Sequence, residues 1–274
     1  MTQNNLYFNF LKQNPEISLV VQTRAVMTAY RGSVAHNLYV APEEENGTDD
    51  IDIVSITVPS RDYYFPVNKS MLPKATQEFF IDQFDIVAYE FSKFVYMLTQ
   101  CNPNTLSLLW LQPEHYLHLT ENGGYLIENR KWFPSRAHVH NAFTGYADQQ
   151  LKSLETGKTD AAYMGEKRRK LVEKYGYDTR HASHLIRLLK MGIELLDTGD
   201  MEVFRTKDRD ELLHIKNGGY KLEEIKSYAK SLFEIAKEKN KTTSLQAYPN
   251  MGEIQQATSE ILHDILNQRY VYYV

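Results

Sequence analysis

Two aspartates separated by a single residue are the clearest candidate for chemistry in this chain. Asp50 and Asp52 flank Ile51 at the start of residues 51–58, where β-branched residues predict a strand. Because alternate residues of a strand share a face, the two carboxylates would lie together, roughly 6–7 Å apart at the backbone. Carboxylates this close repel each other unless a cation lies between them, and hard oxygen ligands suit Mg²⁺.

A plainer interpretation of the same residues stays open. Asp49 and Asp50 could belong to a solvated turn at the start of the strand, since short motifs of this kind often occur without a metal. Upstream, Gly32 and Ser33 form a pair that would let backbone N–H groups approach a phosphate closely, with the serine hydroxyl as a further donor. Both features could meet at one edge of a cleft, which favours the functional interpretation.

Further polar residues follow one face of the most regular predicted helix, residues 178–196. His181, His184 and Arg187 recur every three residues beside a stripe of leucines. If this face borders a cleft, Arg187 could contact phosphate groups with two N–H donors, whereas the alternative is a solvated helix face. The basic run Lys167–Lys170 likewise predicts either solvated surface or a patch that contacts a nucleic-acid backbone.

Composition limits the class of protein. The 274 residues include 31 Lys and Arg against 35 Asp and Glu, a net charge of −4 that argues against a globally basic nucleic-acid coat. The single cysteine, Cys101, excludes an internal disulfide framework and predicts a reducing, cytoplasmic location. No apolar run approaches the roughly 20 residues that cross a bilayer, and no signal peptide is recognisable, so no membrane partner is expected.

The elements that must position the polar residues fall into two regimes. Residues 17–23 and 51–58 predict strands, and residues 84–98 begin as a strand and continue as a helix. Later segments have helical periodicity, at residues 139–154, 166–175, 178–196, 222–239 and 254–270. We therefore expect an α+β fold, with a mixed-sheet catalytic core over residues 1–115 and a helical domain over residues 116–274 that completes the cleft.

The residues around the two aspartates also resemble a known signature. Gly32-Ser33, a loop and then Asp50-Ile51-Asp52 are similar to the hG[GS]…DxD signature of the DNA polymerase β superfamily of nucleotidyltransferases. Later blocks resemble the bacterial and phage branch of predicted nucleotidyltransferases in this superfamily. These blocks are residues 85–94, 102–110, 143–151 and 171–194.

This resemblance implies an enzyme of the EC 2.7.7 type. Such enzymes transfer a nucleoside monophosphate from a nucleoside triphosphate (NTP), with ATP among the candidates, to an acceptor and release pyrophosphate. By the same resemblance Gly32 and Ser33 would hold the β- and γ-phosphates. Asp50 and Asp52 would ligate Mg²⁺, with Mn²⁺ as an alternative.

The family also implies a third metal-binding carboxylate on a neighbouring strand. Asp85 is the best match, because it opens a short apolar segment, and Glu90 is the reserve. A position within the following helix, paired with Lys93, is the plainer expectation for Glu90. His184 and Arg187 are the nucleotide-binding residues expected from the helical half.

The acceptor and the oligomeric state are not predicted by the local chemistry. An RNA, a protein hydroxyl and a small molecule all remain open as acceptors. A non-catalytic nucleotide or RNA sensor on the same scaffold is the alternative function. The acidic run Glu43–Glu45 lies close to the predicted phosphate site, so we expect it to face solvent.

Overall fold

A five-stranded mixed sheet forms the N-terminal part of the molecule, and helices form the rest. The computed structural model describes residues 3–18, 24–44, 47–48, 50–66, 74–156 and 166–267. The strands are β1 Ala25–Tyr30, β2 Ile51–Thr57, β3 Thr76–Ile81, β4 Phe84–Glu90 and β5 Tyr116–Leu119, in the order β3-β4-β2-β1-β5. β2 and β4 are parallel, and the other neighbours are antiparallel. The predicted α+β class is confirmed.

The helices vary from a single turn to the 21 residues of the longest. Before residue 120 they are α1 Gln3–Gln13, α2 Pro15–Ser18, α3 Gly32–Ala35, α4 Arg61–Tyr64, α5 Phe91–Thr99 and α6 Pro103–Leu106. The later ones are α7 Glu121–Glu128, α8 Val139–Thr156, α9 Glu166–Tyr175, α10 Thr179–Thr198, α11 Arg209–Lys216, α12 Leu222–Thr242 and α13 Met251–Asn267. In the described part of the chain, none of these helices is both long enough and apolar enough to span a membrane.

The two faces of the sheet pack against different cores. Ile51 and Ile53 of β2 point to one face and pack with Phe10 of α1. Val54 and Ile56 point to the other face and enter a larger core, which we call the shared core. Its members come from the sheet, from α5 and from the helical half, and include Val26, Val54, Ile56, Phe94, Leu98, Cys101, Met191, Leu195 and Ile254. Since side chains alternate along a strand, Asp52 lies on the same face as this shared core, at its edge.

Helix α10 is the centre of the helical half. It begins at the N-cap Asp178, whose carboxylate accepts hydrogen bonds from the N–H groups of Arg180 and His181, and it ends at Gly199 in the left-handed conformation. Its leucine stripe is buried against α8, α11 and α12. This packing fixes the adjacent polar stripe of α10 relative to the sheet.

Most predicted elements are confirmed, and one predicted strand is contradicted at its first two residues. The strand at residues 51–58, the change from strand to helix near Glu90 and the later helices agree with the structure, within a few residues at their ends. Of the strand predicted at residues 17–23, Ile17 and Ser18 lie in α2, and residues 19–23 lie outside the described part. The strand in this region is β1, which begins at Ala25.

Candidate active site

Three carboxylates meet at one end of the parallel strands β2 and β4. Asp52 is the register partner of Asp85, and Asp50 immediately precedes β2. One oxygen atom from each carboxylate lies within 4.8 Å of the others. The structure therefore brings together the three acids predicted from the sequence. Three hard oxygen donors that are partly open to solvent fit the ligand preference of Mg²⁺ or Mn²⁺.

The ionisation of Asp52 is costly in this environment. Burial raises the pKa of its carboxyl group to about 6; the nearby Arg31 guanidinium opposes that shift, whereas Asp50 and Asp85 add to it. A positive charge beside Asp52 therefore stabilises its ionised form.

Arg31 supplies such a charge. Its Nη2 atom donates a hydrogen bond to Asp85 Oδ2 at 2.9 Å and lies 3.3 Å from Asp52 Oδ1. Its Nε atom is buried and has no hydrogen-bond partner among the described residues. Sequence reasoning missed Arg31, because an arginine next to a Gly-Ser pair carries no signal of its own.

The Gly32-Ser33 turn lies against the acids. Gly32 has a φ of +59°, and a Cβ atom at this position would lie only 2.0 Å from Asp52 Oδ2. The close approach of this turn to Asp52 therefore requires glycine. Ser33 Oγ is buried and has no hydrogen-bond partner in the described part of the chain, so it is a donor that a ligand could satisfy.

A cavity of about 390 Å³ separates this end of the sheet from the helical half. Asp50, Asp52 and Ser33 line it from the sheet side. The residues on the opposite side are mostly basic and comprise Arg180, His181, Ser183, His184, Arg187 and Lys216. The structure thus places His184 and Arg187, predicted from the polar stripe of α10, in the same cavity as two of the acids.

Two basic residues of this wall had no sequence signal. Lys216, the last residue of α11, is buried, and its Nζ atom donates to Leu38 O at 3.1 Å and to Thr48 Oγ1 at 3.4 Å. Burial, followed by the charge of Arg180, lowers the pKa of Lys216 to about 8, and the charges of Asp50 and Glu44 oppose that shift. Arg180 itself donates to Gly47 O at 2.8 Å. Both residues reach the cavity only through the tertiary fold.

The inner end of the cavity contains a buried histidine–arginine pair. His36 Nδ1 lies 3.0 Å from Val203 O, and His36 Nε2 lies 2.6 Å from Arg187 Nη1. Burial, and then the charge of Arg187, lower the pKa of His36 well below its ordinary value. We therefore assign a neutral ring that donates from Nδ1 to the carbonyl and accepts at Nε2 from the guanidinium. The ring fixes one edge of Arg187.

His184 is the other predicted nucleotide-binding residue of α10. Burial, followed by the charges of Arg187 and His181, lowers the pKa of His184 well below its ordinary value. Its Nε2 atom is buried and has no hydrogen-bond partner among the described residues. A neutral imidazole on the cavity wall can donate to or accept from a bound polar group.

Glu90 has a structural position instead of joining the acids. It is the N-cap of α5, where its carboxylate accepts from the N–H groups of Ser92 at 2.7 Å and Lys93 at 2.9 Å, and from Tyr64 Oη at 2.6 Å. The expected side-chain pair between Glu90 and Lys93 is wrong, because Lys93 Nζ donates to Thr76 Oγ1. Asp85 is the third carboxylate of the cluster.

Two charged runs from the sequence are exposed where the structure describes their side chains. Glu43 and Glu44 are exposed, as expected beside a phosphate site, and Glu45 lies outside the described residues. In the run Lys167–Lys170, Arg169 and Lys170 are exposed on α9. Whether this run contacts a nucleic-acid backbone stays a prediction.

Comparisons with known proteins identify one matching family. A family model described as RlaP, RNA repair pathway DNA polymerase beta family, matches residues 16–260. None of the curated proteins matches the chain. Among solved structures, a nucleotidyltransferase-like protein from Exiguobacterium sibiricum 255-15 has 10% sequence identity, over 87% of this chain and 76% of that one, with a TM-score of 0.31.

Proposed function

This chain belongs to the RNA repair pathway DNA polymerase beta family, and from this membership we propose that it is a metal-dependent nucleotidyltransferase that uses an NTP. The acceptor oxygen would form a bond to the α-phosphorus and lose its proton. The bond from that phosphorus to the bridging oxygen of the β-phosphate would break, releasing pyrophosphate. The carrying observation is that Asp50, Asp52 and Asp85 converge at one end of β2 and β4, and that two of them, Asp50 and Asp52, line a cavity with a basic wall.

The three carboxylates are the proposed ligands of Mg²⁺, with Mn²⁺ as the alternative. A divalent cation held there would neutralise charge on the transferring phosphoryl group and favour loss of the proton from the acceptor hydroxyl. Asp52 and Asp85 come from adjacent strands in register, so the sheet itself fixes the distance between them. Nucleotidyl transfer depends on positioning the reactants and neutralising their charge, so it requires ligands whose positions are fixed in advance.

The phosphate groups of the NTP are the proposed partners of the unsatisfied and basic groups of the cavity. Ser33 Oγ and the backbone at Gly32 would bind them from the sheet side. Arg187 and Lys216 would bind them from the helical half, and His184 Nε2 would contribute a neutral donor or acceptor. The support is that Ser33 and His184 each have a buried polar atom with no partner among the described residues.

The candidate acceptors are given in the order in which they should be tested. The description of the family refers to RNA repair, so a hydroxyl group of RNA is the first acceptor to examine. A protein hydroxyl and a small molecule are the alternatives, and each would give a different labelled product.

The experiment incubates the protein with each of the four α-labelled NTPs, Mg²⁺ or Mn²⁺, and RNA, protein or metabolite mixtures. We expect label on one acceptor class, pyrophosphate release, and at least a 100-fold loss of both in Asp52→Asn. The matched control is Asp82→Asn, which makes the same change at an exposed position in the turn before β4. It should retain wild-type activity.

Two results would contradict the proposal. Full activity in Asp52→Asn would show that the reaction does not depend on the acids. Binding of an NTP by the wild-type protein with no transfer to any acceptor class would favour the alternative of a non-catalytic sensor.

A further inference from the structure

A single guanidinium nitrogen bridges two of the three acids of the site. Arg31 Nη2 is 2.9 Å from Asp85 Oδ2 and 3.3 Å from Asp52 Oδ1. We propose that Arg31 is an internal cation that holds these carboxylates together in the metal-free protein and is displaced when the metal binds. This proposal rests on the metal site of the proposed function and adds to it a residue that competes with the metal.

The charge balance of the site supports this role. Three carboxylates with oxygen atoms within 4.8 Å of one another would repel in the absence of a counter-charge. Arg31 provides that charge from within the site. The side chains of Arg31, Asp85 and Asp52 are 31%, 30% and 21% exposed, respectively. Ion pairs that are open to solvent to this degree are weak, so a divalent cation can replace the guanidinium.

In this proposal the metal and the guanidinium compete for the same carboxylate oxygens. Mg²⁺ binds carboxylate oxygens at about 2.0–2.1 Å with near-octahedral geometry, which leaves little space for a second donor on the bridging side. Arg31 Nη2 lies between Asp52 Oδ1 and Asp85 Oδ2, one oxygen of each carboxylate, where a metal bridging these two oxygens would also lie. Binding of the metal therefore requires that at least one of the two Arg31 contacts breaks.

Only the side chain of Arg31 has to move. Its backbone N–H donates to Asp52 O at 3.0 Å, which continues the pairing of β1 with β2 and keeps the main chain in place. The residue lines the cavity and directly precedes Gly32 and Ser33. After displacement, the guanidinium would remain beside the proposed phosphate site, where an anionic ligand can pair with it.

The experiment measures Mn²⁺ binding by titration with electron paramagnetic resonance, without nucleotide, in the full chain. In Arg31→Gln the metal no longer has to break the ion pairs, so we expect roughly fivefold to tenfold tighter Mn²⁺ binding than in the wild type. We also expect a lower Tm for the metal-free variant, and a larger increase of Tm when Mn²⁺ is added. Arg31→Lys, whose compact ammonium group bridges less well, should give an intermediate affinity and serves if Arg31→Gln does not fold.

The control separates direct competition from the general effect of charge. Arg180→Gln removes one positive charge from the same cavity, but the Arg180 guanidinium donates to Gly47 O. We expect a change of less than twofold in its Mn²⁺ affinity.

Each outcome is distinguishable. Equal or weaker Mn²⁺ binding in Arg31→Gln, or the same gain in Arg180→Gln, would overturn the role of Arg31 and leave the metal site intact. If neither the wild type nor any variant binds Mn²⁺, the metal dependence in the proposed function fails, and the role of Arg31 fails with it.

Discussion

Lys216 is a cavity residue whose protonation should depend on what the cavity holds. Its amino group is buried, and burial lowers its pKa from 10.5 to about 8. A bound triphosphate would raise this pKa again, because the opposite charge favours the protonated form. In the free protein, by contrast, the free energy of unfolding should increase as the pH rises through 8, since the unfolded chain keeps this proton up to about pH 10.5.

We therefore expect nucleotide binding to weaken above pH 8 and to be accompanied by proton uptake. The affinity should fall by up to about tenfold per pH unit between pH 8 and pH 9.5. Calorimetric titration with a non-hydrolysable NTP, in buffers that differ in ionisation enthalpy, measures both quantities. Lys216→Met should bind roughly tenfold or more weakly at pH 7 and lose the proton uptake.

Lys230→Met is the matched control, because Lys230 is exposed on α12. It should behave as the wild type at every pH. An affinity in the wild-type protein that is constant from pH 7 to pH 9.5 would contradict the role of Lys216.

The acids of the site and Arg187 were predictable, and its other cations were not. Asp50 and Asp52 are two residues apart, which places them on the same face of a strand, and Asp85 opens the next predicted strand. Arg31, Arg180 and Lys216 have no such spacing relative to the acids. Arg31 reaches the acids because it follows β1 directly and its backbone pairs with Asp52. Arg180 on α10 and Lys216 on α11 reach the cavity because these helices face the end of the sheet across it, and neither arrangement is encoded in a local pattern.

At the scale of elements, the turn from β1 into α3 packs closely against the acids. Gly32 has positive φ, and a Cβ atom there would overlap Asp52 Oδ2. We expect Gly32→Ala to lower the free energy of unfolding by about 1–2 kcal/mol, because a non-glycine residue is strained in this conformation. Displacement of the Asp52 carboxylate should also weaken Mn²⁺ binding by roughly tenfold or more, as measured by metal titration and urea unfolding.

Gly145→Ala is the control for the same change elsewhere. Gly145 is exposed within α8, and a Cβ atom there would meet nothing within 4 Å. The alanine should increase the free energy of unfolding by about 0.5–1 kcal/mol and leave Mn²⁺ binding unchanged. Wild-type metal affinity in Gly32→Ala would show that the turn does not constrain Asp52.

The segment that follows α3 is held from the helical half. His36 bonds to Val203 O, and Asn37 Nδ2 donates to Arg205 O at 3.0 Å. Arg209 Nε in turn donates to Asn37 O at 2.9 Å. The position of the proposed phosphate turn therefore depends on both parts of the chain.

Elements with strong periodicity were predicted well, and β1 was not. The leucine stripe of α10 has a clear period of 3.6 residues, so its extent was nearly correct. The sequence of β1, Ala-Val-Met-Thr-Ala-Tyr, contains residues of low strand propensity, whereas residues 17–23 are richer in β-branched and apolar ones. β1 forms because β2 and β5 pair with it on both sides and its six residues are all buried.

For the whole molecule, the division into residues 1–115 and 116–274 stays a prediction. β5, which follows that division, pairs with β1 in the sheet. The shared core also joins Val54 of the sheet to Met191 and Ile254 of the helical half. Two parts that share one core lose most of their stabilisation when they are separated.

We expect the full chain to unfold in a single cooperative transition. Differential scanning calorimetry should give a calorimetric enthalpy equal to the van't Hoff enthalpy. The separate fragment 1–115 should lack such a transition, because it exposes its half of the shared core. Two resolved transitions in the full chain would instead show that the predicted parts are independent folding units.

The single cysteine can report how often the shared core opens. Cys101 has no exposed surface, it lies in the shared core, and burial raises the pKa of its thiol to about 11. A buried, protonated thiol reacts with an alkylating reagent only when the surrounding structure opens. The rate of alkylation of Cys101 therefore measures how often the sheet and the helices separate, and no engineered label is needed. A ligand that bridges the two sides of the cavity would lower the alkylation rate of Cys101 in proportion to its occupancy.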